Sequence, residues 1–285
     1  MRTWFEQKRS VVVVAMAIGL LAGGLAAYAT RNAADAGSSS QVVVSLTWDD
    51  GRGSQFDSVA VQRAHGMNAT YYVNSAMIGS SSYYMTRSQL DEVVASGSEI
   101  GGHTEHHVNV ATAPTDVATK EVCDDRARIV SWYGDAHGRS FAYPYGAFSA
   151  SAQSTVKGCG YGSARGVTGV LTPYACFSCR MSESLPALDP YALVAPTSVS
   201  STTTLSDLQF QVTQARLNGG GWVIYTMHDF GVSGSSLSID PALYDQFLGW
   251  LASQSGVRVM TVGDVMSTNW PGSTTPTDPI STPVP

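Results

Sequence analysis

The chain has 285 residues, 44% of them hydrophobic and only 13% charged, which is enough apolar material for one large domain with a well-buried core. Its formal charge is -6, and it contains no run of clustered Lys and Arg. Nucleic acid is therefore excluded as a partner, because binding phosphates requires concentrated positive charge.

Arg2, Lys8 and Arg9 precede an uncharged run from Val11 to Ala29 that ends in Ala27-Tyr28-Ala29, the pattern of an export signal. The run nearly reaches the ~20 residues that span a bilayer, so residues 1–29 read either as a signal peptide or as an N-terminal membrane anchor. Both readings place the rest of the chain outside the cytoplasm, secreted or on the extracytoplasmic face of the membrane. Residues 30–41 are small and polar, the composition of a tether, and residues 271–285 form a tail rich in Thr and Pro. The folded domain is expected over 42–270.

Within it, short apolar runs alternate with amphipathic stretches. Strands are predicted at Val42, Ala69, Ser98, Ser140, Tyr161, Ala192, Trp222 and Val257, several as continuous apolar runs that need cover on both faces. The intervening helices open at Ser54, Thr86, Pro114, Ser206 and Asp240-Pro241, each a plausible cap or first-turn proline. The expected fold is α/β, a single-domain barrel that gathers its chemistry at the C-terminal ends of the strands. Cys123, Cys159, Cys176 and Cys179 lie in an exported chain and are expected to be oxidised, with three connectivities open; Cys176-Phe-Ser-Cys179 lacks the second CxxC of a zinc ribbon.

The reactive side chains fall at those strand ends. Asp49 and Asp50 close the first strand in TWDDG, where Gly51 allows a turn that brings both carboxylates to one site. Next comes GGHTEHH, in which His103, His106 and His107 have spacings that share one face of a helical turn and suit a divalent ion. Asp50 supplies a third ligand, and two histidines with one carboxylate make a recurrent open metal site. Tyr143 to Gly146 end the fourth strand, and His228 with Asp229 ends the seventh. An open metal position activates water; Asp49 is placed to take its proton and His228 to protonate a leaving group, so the chemistry is amide or ester hydrolysis.

TWDDG, HTEHH, YPYG and MHDFG, in that order, resemble the motifs of the polysaccharide deacetylases (carbohydrate esterase family 4, the NodB-homology domain) over about Val42 to Val265. The resemblance implies a distorted (β/α) barrel of seven or eight strands and one divalent metal, commonly zinc and sometimes cobalt or nickel. It makes Asp49 the base, Asp50, His103 and His107 the metal ligands, and His228 the acid. It also gives Tyr145 a backbone N–H for the oxyanion, Met227 the acetyl-methyl pocket, and Thr104 a supporting role. His106 ranks below the other two histidines on this ground. Two positions depart from the pattern. The arginine that usually pairs with the base is Ala142, and Arg165 at the end of the next strand is its expected substitute. The Asp-Ser-x-Asp-Trp segment is not recognisable, leaving Asp189 or Asp229 to hold His228. The activity implied is removal of N-acetyl groups from peptidoglycan, chitin-like chains or poly-N-acetylglucosamine, that is, hydrolysis of a carbon–nitrogen bond other than a peptide bond, by a monomer. An ester hydrolase acting on acetylated xylan and a non-catalytic polysaccharide-binding relic of the fold are the alternatives.

Overall fold

A computed structural model describes residues 41–270; the export segment, nearly all of the tether and the tail lie outside the described residues. β1 (Val42–Trp48) is buried along its whole length, as a strand covered on both faces must be. Its full edge pairs in parallel with β7 (Gly221–Met227), from Val42 opposite Gly221 to Trp48 opposite Met227. The opposite edge is shared: β8 (Val257–Val259) pairs with its start and β2 (Thr70–Val73) with its end. From β2 the sheet continues in parallel through β3 (Glu99–Gly102), β4 (Ser140–Ala142), β5 (Ser163–Gly169) and β6 (Leu193–Ala195). The result is a curled, distorted (β/α) barrel. Between β6 and β7 the ladder is missing, and an antiparallel bridge between Glu183 and Trp222 stands there instead.

Helices α1 (Ser58–Ala64), α2 (Arg87–Ala95), α3 (Thr115–Tyr133), α4 (Ala150–Gly158), α5 (Leu205–Leu217), α6 (Pro241–Ser253) and α7 (Val262–Ser267) cover the outside. Alternate residues of β1 and β7 divide between two cores. Val42, Val44, Leu46 and Trp48 join Val223, Tyr225 and Met227 in the helix-facing layer, whereas Val43, Trp222 and Ile224 pack inside the barrel with Tyr72 and Ala142. That alternation, the period of two of a strand, turns Thr47, Asp49 and Arg165 toward the interior. At the opposite end the barrel is plugged by Glu99, which accepts from Thr70 Oγ1 (2.8 Å), Ser140 Oγ (2.7 Å) and the Gly263 N–H (2.8 Å) and whose pKa burial raises.

Two helix starts differ from expectation. Thr204 rather than Ser206 caps α5, in a capping box with Asp207, and Ser54 is drawn into the site by Asp229 instead of capping α1. Helices α4 and α7 were not foreseen. The sulfurs pair as Cys123–Cys159 and Cys176–Cys179, which removes the ribbon reading. Cys123–Cys159 ties α3 to the end of α4 across 36 residues, a loop for which chain entropy assigns about 4 kcal/mol. Replacing both cysteines by alanine is expected to lower the unfolding free energy by that order in urea titrations; a loss under ~1 kcal/mol would mean that α3 and α4 hold together through packing alone.

Candidate active site

The turn after β1 begins one residue earlier than expected. Asp50 itself has φ 79° and Gly51 φ 66°, so the chain reverses at the second carboxylate, and Asp49 and Asp50 reach the same cavity from adjacent positions. A Cβ on Gly51 would sit 3.1–3.2 Å from Val73 and Ile78, which is why glycine occupies the bend. Gln55, fully buried, donates to the carbonyls of both Asp49 and His228 and staples the ends of β1 and β7 together.

The histidine segment is not helical. Thr104 (φ 67°) and His107 (φ 62°) are both left-handed, and the irregular loop, rather than helical periodicity, points His103 and His107 at Asp50. Its backbone is gripped from several sides. Asn74 Nδ2 donates to the carbonyls of His103 (2.6 Å) and Thr104 (3.1 Å), and Thr104 Oγ1 accepts from the Val108 N–H (3.0 Å). Asp125, buried on α3, accepts from the N–H groups of His103 (3.0 Å) and Ser75 (3.1 Å) and from the Tyr161 hydroxyl (3.0 Å). Burial pushes Asp125 up to about 6, against the pull of those donors. His106 turns away to Glu121 and is 55% exposed at its side chain.

One ligand atom each from Asp50, His103 and His107 lies within 4.8 Å of the others. His103 Nδ1 stands 2.6 Å from the Ala142 carbonyl, which must be met by an N–H, so the Nε2 lone pair faces the cluster. Asp50 Oδ1 is buried and takes no hydrogen bond, although His103 Nε2 and His107 Nε2 are only 3.4 and 3.2 Å away. An orphaned carboxylate oxygen facing two imidazole nitrogens is the donor set of a divalent metal site, and the residues present fit such an ion. Burial alone would raise the Asp50 pKa; the facing histidines hold it far below the usual carboxylate value.

Arg165 is fully buried and its Nη2 lies 2.5 Å from Asp49 Oδ1, with Nη1 on the Gly166 carbonyl at 3.2 Å and the guanidinium over the Tyr72 ring. Residue 165 sits directly beside Ala142 in the β4–β5 register, so the cation stands one strand over from its expected position. His228 is buried enough that its pKa falls below the ordinary value, and its Nδ1 has no partner. Neither proposed holder reaches it. Asp229 bonds Arg52, Ser54 and Ser235, and Asp189 bonds the Tyr191 N–H and Gln153. Tyr145, left-handed at φ 63° and 69% exposed, places its ring 4.5 Å from that of His107 at the mouth of the site. Met227 lies in the helix-facing core. Arg52, Gln55, Asn74 and Asp125 were missed by sequence reading.

A parallel (β/α) barrel with an Asp-His-His cluster and an arginine-held aspartate at the C-terminal ends of its strands defines a class of hydrolase scaffold. Residues 36–164 match the family model for polysaccharide deacetylases. Among solved structures, the T48 deacetylase with substrate is similar at 20% identity and a TM-score of 0.50, covering 79% of this chain and 90% of that one. The Bacillus subtilis peptidoglycan deacetylase PdaC is similar at 17% identity and a TM-score of 0.48, over 79% of this chain and 90% of that one. A de-N-acetylase from Aggregatibacter actinomycetemcomitans aligns over 43% of this chain at 17% identity and a TM-score of 0.40, and this chain spans 62% of its length. No curated protein sequence matches the chain at a significant level.

Proposed function

We propose that the protein is a zinc-dependent hydrolase that removes N-acetyl groups from an extracellular or cell-wall polysaccharide. The observation that carries this reading is the adjacency, in one turn, of Asp49 paired with Arg165 and Asp50 facing His103 and His107. When bound, the ion supplies Lewis acidity, polarising the acetyl carbonyl and making water a nucleophile near neutral pH. Asp49, fixed by Arg165, takes the proton of the attacking water as its oxygen bonds the acetyl carbon. The Tyr145 N–H donates to the oxyanion. His228 gives a proton to the sugar nitrogen as the carbon–nitrogen bond breaks, leaving acetate and a free amine. Cobalt or nickel suit the same ligands.

The arginine absent at position 142 is the main support for a non-catalytic relic, and the Arg165–Asp49 ion pair favours the catalytic reading instead. Two disulfides and the family's polymeric substrates favour action outside the cytoplasm. Metal-loaded protein is expected to release acetate from acetylated chito-oligosaccharides faster than from acetylated xylan, and His228→Ala to lower that release by about 10²–10⁴ while retaining its metal. Metal-dependent release from xylan alone would replace the amide by an ester as substrate; release from neither would sink the reading.

A further inference from the structure

Arg52, directly after the DDG turn, is a cation in direct contact with Asp50. Its Nε and Nη2 lie 2.9 and 2.7 Å from Asp50 Oδ2, and its Nη1 lies 2.5 Å from Asp229 Oδ2. Asp229 is anchored in turn by Ser54 Oγ at 3.2 Å and Ser235 Oγ at 2.7 Å. The guanidinium is thus held at both ends. Asp50 is left asymmetric, with Oδ2 taking the Arg52 Nε–H hydrogen bond and the Nη2 ion-pair contact, and Oδ1 free of hydrogen bonds and facing both histidines.

We infer that Arg52 is a positioning residue that makes Asp50 a one-oxygen ligand and keeps a coordination position open for water and the acetyl oxygen. The inference rests on the metal reading proposed above. A carboxylate with both oxygens free can close on an ion through both and consume a position that catalysis needs. A guanidinium held against Oδ2 opposes this, because its Nε–H hydrogen bond and its positive charge already occupy that oxygen. The same charge repels the ion, so Arg52 trades affinity for openness. Asp229 then acts at one remove, as the anchor that keeps Arg52 from swinging away.

The test uses the full chain loaded with Co²⁺, whose visible absorption weakens as coordination expands from four, alongside Zn²⁺ affinity by chelator competition. Arg52→Met is expected to lower the Co²⁺ absorptivity about twofold or more and to tighten Zn²⁺ binding about tenfold, since a competing cation and a constraint are both gone. Arg52→Lys keeps the charge without the fork, so its spectrum is expected to shift likewise while Zn²⁺ affinity stays within about threefold. R52M/D229N is expected to behave as Arg52→Met, showing that an unpaired Asp229 has not joined the ion. Parental spectra in both single variants, or weaker Zn²⁺ binding in Arg52→Met, would overturn the inference. If the parental chain binds no Co²⁺ and no Zn²⁺, the metal reading fails and this inference with it.

Discussion

Arg165→Ala is expected to cost the protein both stability and turnover. Asp49 and Arg165 form an ion pair that water barely reaches, with side chains 4% and 0% exposed. Such a pair adds little stability over a well-packed apolar alternative, but removing one partner strands the other as an uncompensated buried charge, at about 3–5 kcal/mol. Turnover should fall about 100-fold or more, because the carboxylate that takes the proton loses the group that fixes its orientation, while metal content stays the same. The decisive variant is A142R/R165A. Positions 142 and 165 are register partners on adjacent parallel strands, roughly 4.8 Å apart, and project to the same side. Moving the guanidinium back one strand is expected to recover at least about tenfold of the lost turnover. Near-normal turnover in Arg165→Ala would remove the pairing from the mechanism.

Asp50→Ala is expected to abolish metal binding and turnover together. In the parental protein, Zn²⁺ at 100 times its dissociation constant should add about 2.7 kcal/mol to the unfolding free energy, and in Asp50→Ala nothing. Loss of the ion's several kcal/mol of charge stabilisation corresponds to about 10³ or more in rate. His106→Ala is the control: its ring pairs with Glu121 away from the cluster, so Zn²⁺ stabilisation and turnover should match the parental protein. A metal-induced stabilisation that survives Asp50→Ala would place the ion elsewhere.

The strands were legible because their burial on both faces writes itself as continuous apolar runs, as in Val42–Trp48 and Gly221–Met227. Helices with a strong cap were legible for a local reason as well: Thr86 with Gln89 and Asp240 with Pro241 satisfy their helix N-termini within four residues. Ala150–Gly158 was not, being short and rich in Ser and Ala without an apolar stripe. The spacing of the histidines predicts a turn of helix, yet left-handed residues at Thr104 and His107 produce the convergence, and spacing carries no record of φ.

By itself, the sequence determined where chemistry could reside: acids at the end of the first strand, histidines after the third and seventh, and a barrel to bring them to one rim. These are local patterns, since strand ends, turns and motif spacings involve residues close along the chain. The tertiary structure alone decided which groups meet. Arg165 reaches Asp49 across 116 residues, Arg52 reaches Asp229 across 177, and Asp125 reaches the His103 backbone across 22. It also decided that neither Asp189 nor Asp229 holds His228. Such partnerships are set by the curl of the sheet and the register of its strands, which bring distant residues within 3 Å and leave no periodic trace in the order of amino acids.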